Sequence, residues 1–239
     1  MAAAVAAAVP GDVIAVRGKV DGGVVLAGIA VVGTCTDSGL DGGATLRGGA
    51  LLARSEVGAV EIEGGSLREV VVRGAAEVGV RVTGAGALRD VVVADTTGPN
   101  GGGWGVFVES GALMATNLTI WRNTNVGLRV VGGRAEVDGV VVADTRPVAA
   151  APFRGRGLQV EQGGTLVARA AVVVRNRNSA LLAADQGSVL DLDGAYVADT
   201  LGNEGTNTFG DGLTAFDGAD IRLSRTWLHN NRNSGVTAV

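Results

Sequence analysis

The stretch GLRVVGGRAEVDGVVVADT, residues 127–145, decides how the whole chain is read. Short runs of Val, Leu and Ala are separated by glycine, and within each run apolar and polar positions alternate as in a strand with one buried face. Its opening landmark, a small residue before alternating apolar positions, recurs as GAVEI at 58, GVRV at 79, GVFV at 105, GLRV at 127, GLQV at 157, ALLA at 180, GLTA at 212 and GVTA at 235. The intervals are 21, 26, 22, 30, 23, 32 and 23 residues, so short and long units alternate from Gly58 onward. The closing landmark recurs as VVVADT at 91, TIWRNT at 119, VVVADT at 140, VVVRNR at 172, AYVADT at 195 and WLHNNR at 227. Aligned without gaps, their fifth position reads Asp95, Asn123, Asp144, Asn176, Asp199, Asn231. The Asp units are followed by TTGPNGGG, TRPVAAAPFRGR and TLGNEGTNTFGD, which predicts loops emerging along one side.

A unit of this kind cannot bury a hydrophobic face alone, so neighbouring units must stack. A leucine-rich repeat would need Leu and Asn at fixed offsets, and helical repeats would not tolerate this density of glycine and β-branched residues. A β-solenoid remains, in which each strand pairs in parallel with its equivalent one coil away, at about 4.8 Å, and alternate side chains fill a narrow bore. The Asx column suits a tight turn near the left-handed region, which Gly, Asn and Asp tolerate best. Stacked in register, Asp95, Asn123, Asp144, Asn176, Asp199 and Asn231 form a side-chain hydrogen-bond ladder; the same residues also suit an ordinary solvated turn.

Composition agrees with a narrow bore. The 239 residues include 40 glycines but only four Phe, three Trp and one Tyr, too few aromatics for a conventional globular core. Four prolines and no G-X-Y period exclude collagen. The net charge of −4, with arginines scattered and Lys19 the single lysine, argues against nucleic acid as a partner. No stretch approaches the roughly 20 apolar residues of a membrane-spanning helix. The one cysteine, Cys35, follows the apolar run IAVVGT and reads as a small core residue. The one histidine, His229, aligns with Val93, Trp121, Val142, Val174 and Val197, which predicts a buried or edge-packed imidazole.

The repeat and its Asx turn resemble the right-handed parallel β-helix of the pectin lyase-like superfamily. The opening AAAVAAAVPGDVIAVRGKVDGGVVLAGIAVVGTC is similar to that superfamily's start, with a short capping helix before Pro-Gly-Asp leads into the first strand. The expected architecture is all-β: a β-solenoid of about nine to ten coils, with residues 1–10 as the N-terminal capping helix and 11–239 as a single solenoid domain. GVTAV ends inside a fresh coil, which predicts a C-terminal truncation. Its open edge would meet further coils of a longer chain or another copy end to end. The resemblance further implies contact with polysaccharide and an extracellular or cell-surface location.

It is less specific about chemistry. The Asn-Thr-Asp, Asp-Asp, Gly-His-Gly and Arg-Ile-Lys motifs of polygalacturonases are absent. Pectate lyase-like chemistry would ask for clustered carboxylates around Ca²⁺. The best carboxylate series follows the opening landmark: Glu109, Glu161, Asp185 and Asp217, with Glu63 earlier. Alternation turns Arg81 and Arg129 outward, and with Phe107, Gln159 and Thr214 they form one face. That face is read either as a groove for acidic or neutral polysaccharide or as a solvated sheet surface. Trp104, Phe153 and Phe209, near the ends of the long insertions where a wall of loops would bring them close together, are read either as sugar platforms or as plugs that seat those loops on the β-helix.

Two functions follow. The first is a non-catalytic scaffold binding polysaccharide through Arg81, Phe107, Glu109, Arg129, Glu161, Asp185 and Asp217, without a cofactor. The second is a polysaccharide lyase, hydrolase or epimerase acting in a groove beside the loops, with Ca²⁺ entering only in that case. Convergence of acid, base and cation ligands in one cleft separates them.

Overall fold

The computed structural model describes residues 1–99, 101–148, 154–204 and 206–238. Its one helix among these, Ala2–Ala7, sits at the start of a chain otherwise built from parallel strands. Met1, Val5 and Ala8 pack against the adjoining core.

The chain is a parallel β-helix. Its first ladder can be followed through one position per coil: Val24, Ala44, Val60, Val80, Val106, Leu128, Leu158, Leu181, Leu213 and Val236. Those ten steps meet the expected coil number. A second ladder runs from Val13–Val16 through Ala30–Gly33 and on to Asp220–Ser224, and a third from Lys19–Val20 to Trp227–His229. Sequence alternation decides which side chains enter the bore: Val80 and Val82 are fully buried while Arg81 between them is not. Inward Leu67, Leu88, Leu113 and Leu118 are buried from the other two ladders. Each such side chain contributes about 1.5–3 kcal/mol relative to exposure.

In the middle coils the glycine that opens a unit has a steric cause. At Gly127 a Cβ would lie 2.4 Å from Val142 Cγ1, and at Gly157 it would lie 2.5 Å from Val173 Cγ1. The first ladder therefore starts against a third-ladder valine with no room for a side chain.

The closing landmark needs a correction. Pairing places Val91 opposite Leu118, Val92 opposite Thr119 and Ala94 opposite Trp121. The gapless alignment was thus one residue out of step, and Asp95, Asn123, Asp144, Asn176, Asp199 and Asn231 belong to two adjacent columns. One contains Asp95, Arg122, Asp144, Arg175, Asp199 and Asn230, all with φ between 48° and 58°. The other contains Thr96, Asn123, Thr145, Asn176, Thr200 and Asn231 and points inward, buried as far as Thr200. The left-handed turn residue and the inward amide are neighbours, so Asp occupies the turn in one unit and Asn the inward site in the next. Asn123 Oδ1 accepts the Thr96 N–H at 2.8 Å, Asn176 Oδ1 accepts that of Thr145 at 3.1 Å, and Asn231 Oδ1 accepts that of Thr200 at 3.2 Å.

The outward column is a chain of alternating charge. Arg122 Nη2 donates to Asp95 Oδ2 at 2.8 Å. Arg175 meets Asp144 through both Nε and Nη2, at 2.9 and 2.8 Å. Trp121 Nε1 adds a bond to Asp144 Oδ2 at 3.0 Å, and the Arg122 guanidinium lies 3.8 Å over the Trp121 ring.

Two other expectations change. Cys35 is exposed, because the fourth strand ends at Gly33 and the thiol follows in the turn, 3.2 Å from Ser38 Oγ. His229 is exposed as well: it pairs with Ala198 on the outer side of the register and sits edge-on to Trp227, with centroids 6.2 Å apart.

Candidate functional site

The three long insertions all join the third ladder to the first, so they flank the same edge of the first-ladder face. That face carries one column running Glu61, Arg81, Phe107, Arg129, Gln159, Leu182, Thr214 and Thr237. Its members are less exposed than outward positions usually are. Phe107 and Gln159 are each 5% exposed, and Leu182 is 3% exposed.

The cover comes from stacking. The Arg81 and Arg129 guanidinium carbons lie 5.2 and 5.3 Å from the Phe107 ring centroid, from the coils before and after it. Trp104, at the start of the same strand, packs against Phe107 at 4.9 Å and receives Arg129 at 4.8 Å. A guanidinium within about 6 Å of an aromatic face is attracted by the ring quadrupole. Two rings and two cations thus form one contiguous patch.

The carboxylates close it along the strand ends. Arg81 pairs with Glu109, and Arg129 donates through Nε to Glu161 Oε1 at 2.7 Å. Gln159 Nε2 donates to the other oxygen of Glu161 at 2.6 Å. Arg156, at the end of the second insertion, donates to Gln159 Oε1 at 3.1 Å and to Asn178 Oδ1 at 3.2 Å. Burial pushes its pKa down to about 10, the nearby Arg154 pushes the same way, and Glu161 opposes both. Arg154 itself reaches Asn125 Oδ1 at 3.4 Å.

The predicted carboxylate series is not one column. Glu109 and Glu161 end strands two coils apart with Val131 between them. Asp185 and Asp217 stand one residue further, in left-handed turn positions with φ of 70° and 56°. Asp185 Oδ2 accepts the Gln162 N–H at 2.9 Å, and Glu63 is engaged by Arg47 at 2.6 Å. These carboxylates do not fit calcium: the groove pair is held by arginines, and among the described residues no three His, Cys, Asp or Glu side chains converge as cation ligands.

No protein-family model matches the chain, and no curated protein matches it. Among solved structures it is similar to the pectate lyase Pel9A, at 12% identity and a TM-score of 0.43, covering 94% of this chain and 72% of that one. It is also similar to a PL6 alginate lyase in complex with a trisaccharide, at 11% identity and a TM-score of 0.29, covering 89% of this chain and 59% of that one. A third likeness is to the A-module of the mannuronan C-5 epimerase AlgE6 of Azotobacter vinelandii, at 10% identity and a TM-score of 0.26, covering 99% and 93%.

Sequence reasoning missed Arg154 and Arg156, which lie within an insertion that carries no repeat signal. It also expected Trp104, Phe153 and Phe209 to lie close together. Phe153 falls outside the described residues. Trp104 and Phe209 are separated along the stack: Trp104 leads through Val126 to Arg156, while the strand after Phe209 begins at Asp211, opposite Ser179. Four coils at about 4.8 Å put them some 19 Å apart. No helix among the described residues is long and apolar enough to cross a membrane.

Proposed function

We propose that this chain is a non-catalytic extracellular or cell-surface scaffold that binds polysaccharide along its first ladder, beside the inserted loops. One observation carries this reading: Trp104 and Phe107 stack with Arg81 and Arg129 into a fixed platform that opens on the loop-flanked face. The Trp104 ring and the guanidinium planes, seated on the buried Phe107, suit the apolar face of a sugar ring, and the surrounding amides and carboxylates suit its hydroxyls.

Glycosidic hydrolysis with inversion needs two carboxyl groups about 6.5–9.5 Å apart with room for a water. Glu109 and Glu161 are two coils apart, about 10 Å along the stack, at the margin of that range. Arg81 holds one oxygen of Glu109, while Arg129 and Gln159 between them hold both oxygens of Glu161. This arrangement favours holding a chain over cutting it.

The test is binding and product analysis with polygalacturonate, alginate and neutral glycans, each with and without Ca²⁺. Retention of at least one glycan with no change in its length is expected. Cleavage or epimerisation of any of them would replace this function with the enzymatic one.

A further inference from the structure

Past the platform, the same face deepens into a cavity of about 650 Å³ between the last inserted loop and the strand Asp211–Phe216. Leu182, Thr214, Phe209 and Phe216 line it, with Asp217 at the turn and Arg156 on the side toward the platform. A volume of that size is within the range of small-molecule sites.

Phe209 is the anomaly. Its φ is +61°, whereas the other described non-glycine residues with positive φ are polar, charged or alanine, and the ring is 52% exposed. A non-glycine residue held there is strained, and a phenyl ring left in water forgoes the burial that aromatic residues usually supply. A residue that is both strained and presented to solvent at the mouth of a cavity answers to something that binds there.

The charges say what kind of group that is. Asp217 is exposed at the rim and Asp211 is buried beside it, its Oδ1 accepting Asn233 Nδ2 at 2.8 Å and Ser234 Oγ at 2.7 Å. Among the described residues that line it, Arg156 is the one guanidinium, and it is directed to Asn178 and Gln159. A carboxylate-bearing ring would bring a third negative charge against one committed cation. An uncharged pyranose ring meets no such penalty: its C–H face can lie on the phenyl rings while its hydroxyls donate to Asp217.

Resting on the glycan-binding reading above, we infer that this cavity is a subsite for a neutral sugar residue, with Phe209 and Phe216 as its stacking walls and Asp217 as hydroxyl acceptor. The experiment uses the full chain and measures affinity for hexaoses of β-1,4-linked glucose, mannose and xylose, alongside oligogalacturonate and oligomannuronate. Variants are Phe209→Gly and Phe216→Ala. Glycine adopts the left-handed backbone freely, so Phe209→Gly keeps the loop and releases the strain. At least one neutral hexaose should bind, weakening about tenfold or more in both variants, with the melting temperature of Phe209→Gly unchanged or raised.

Binding of uronates alone would overturn the subsite and leave the glycan-binding function standing. Failure of every glycan would remove both. Neutral binding that is insensitive to Phe209→Gly, or a marked loss of stability in that variant, would mean that the ring serves the fold and would overturn the subsite.

Discussion

Asn176 joins two coils through one carboxamide: its Oδ1 accepts the Thr145 N–H at 3.1 Å and its Nδ2 donates to the Val142 carbonyl at 3.1 Å. Asn123 repeats both contacts one super-repeat earlier, with Thr96 and Val93. Asn176 is fully buried, so no water can replace the amide. Asn176→Ala leaves one donor and one acceptor unsatisfied, each costing about 1–3 kcal/mol. Urea unfolding should show a loss of about 2–5 kcal/mol, with hydrogen exchange at the Thr145 amide accelerated most. Asn231→Ala should cost less, because that site is only half-buried.

Glycine spacing gives a steric prediction. A Cβ on Gly127 would lie 2.4 Å from Val142 Cγ1 and 2.8 Å from the Gly157 carbonyl oxygen. Gly127→Ala should therefore destabilise by about 1–3 kcal/mol, the usual range for overpacking. Gly235 opens the equivalent strand of the last coil with nothing within 4 Å, and Gly235→Ala should stay within about 0.5 kcal/mol of the parent. Thermal melts of the two variants side by side test the difference.

The alternating charge column predicts a pH dependence. Arg175, and to a smaller degree the Trp121 indole N–H, holds the Asp144 carboxyl below its ordinary value, against the opposing effect of burial. A folded pKa lowered in this way contributes stability that is present above the unfolded value near 3.9 and is lost as pH falls through the folded value. Arg175→Gln should therefore be less stable than the parent at pH 7, by about 0.2–1 kcal/mol for such a half-exposed pair. The gap should close as the pH is taken down through the acid range. A gap that persists unchanged in strong acid would assign the effect to packing of the guanidinium instead.

The platform predicts a graded loss of binding. Trp104→Ala removes a ring that touches both Phe107 and Arg129. An aromatic contact of about 0.5–1.5 kcal/mol beyond area burial corresponds to a weakening of up to about tenfold. Titration of the retained glycan, followed by fluorescence in the parent and by calorimetry in the variant, measures it.

How much of this was legible differs between the two landmarks. The first ladder was readable because one small residue and the alternation after it recur at every step, and Val80, Val106, Leu128 and Leu158 do stack as the spacing implies. The third ladder was readable only as strands. Asp and Asn look interchangeable in sequence, yet the turn asks for a left-handed backbone and a charge, and the adjacent position asks for a buried amide. The units read Asp-Thr, Arg-Asn, Asp-Thr, Arg-Asn, Asp-Thr and Asn-Asn at these two positions. That two-residue alternation was the signal available for the right register. A slip of one residue turns every side chain to the opposite face, and so Asp95 is outside while Asn123 is inside.

Composition and periodicity alone determined that the chain winds as stacked parallel coils, since short Val- and Ala-rich strands with glycine between them have no other way to bury apolar surface. Tertiary structure decided the partners. Which arginine meets which glutamate, and that Phe209 stands strained at a separate cavity, depend on coils that are 20 to 30 residues apart in sequence and about 5 Å apart in space. The length of each intervening loop sets that correspondence, and the repeat carries no record of it.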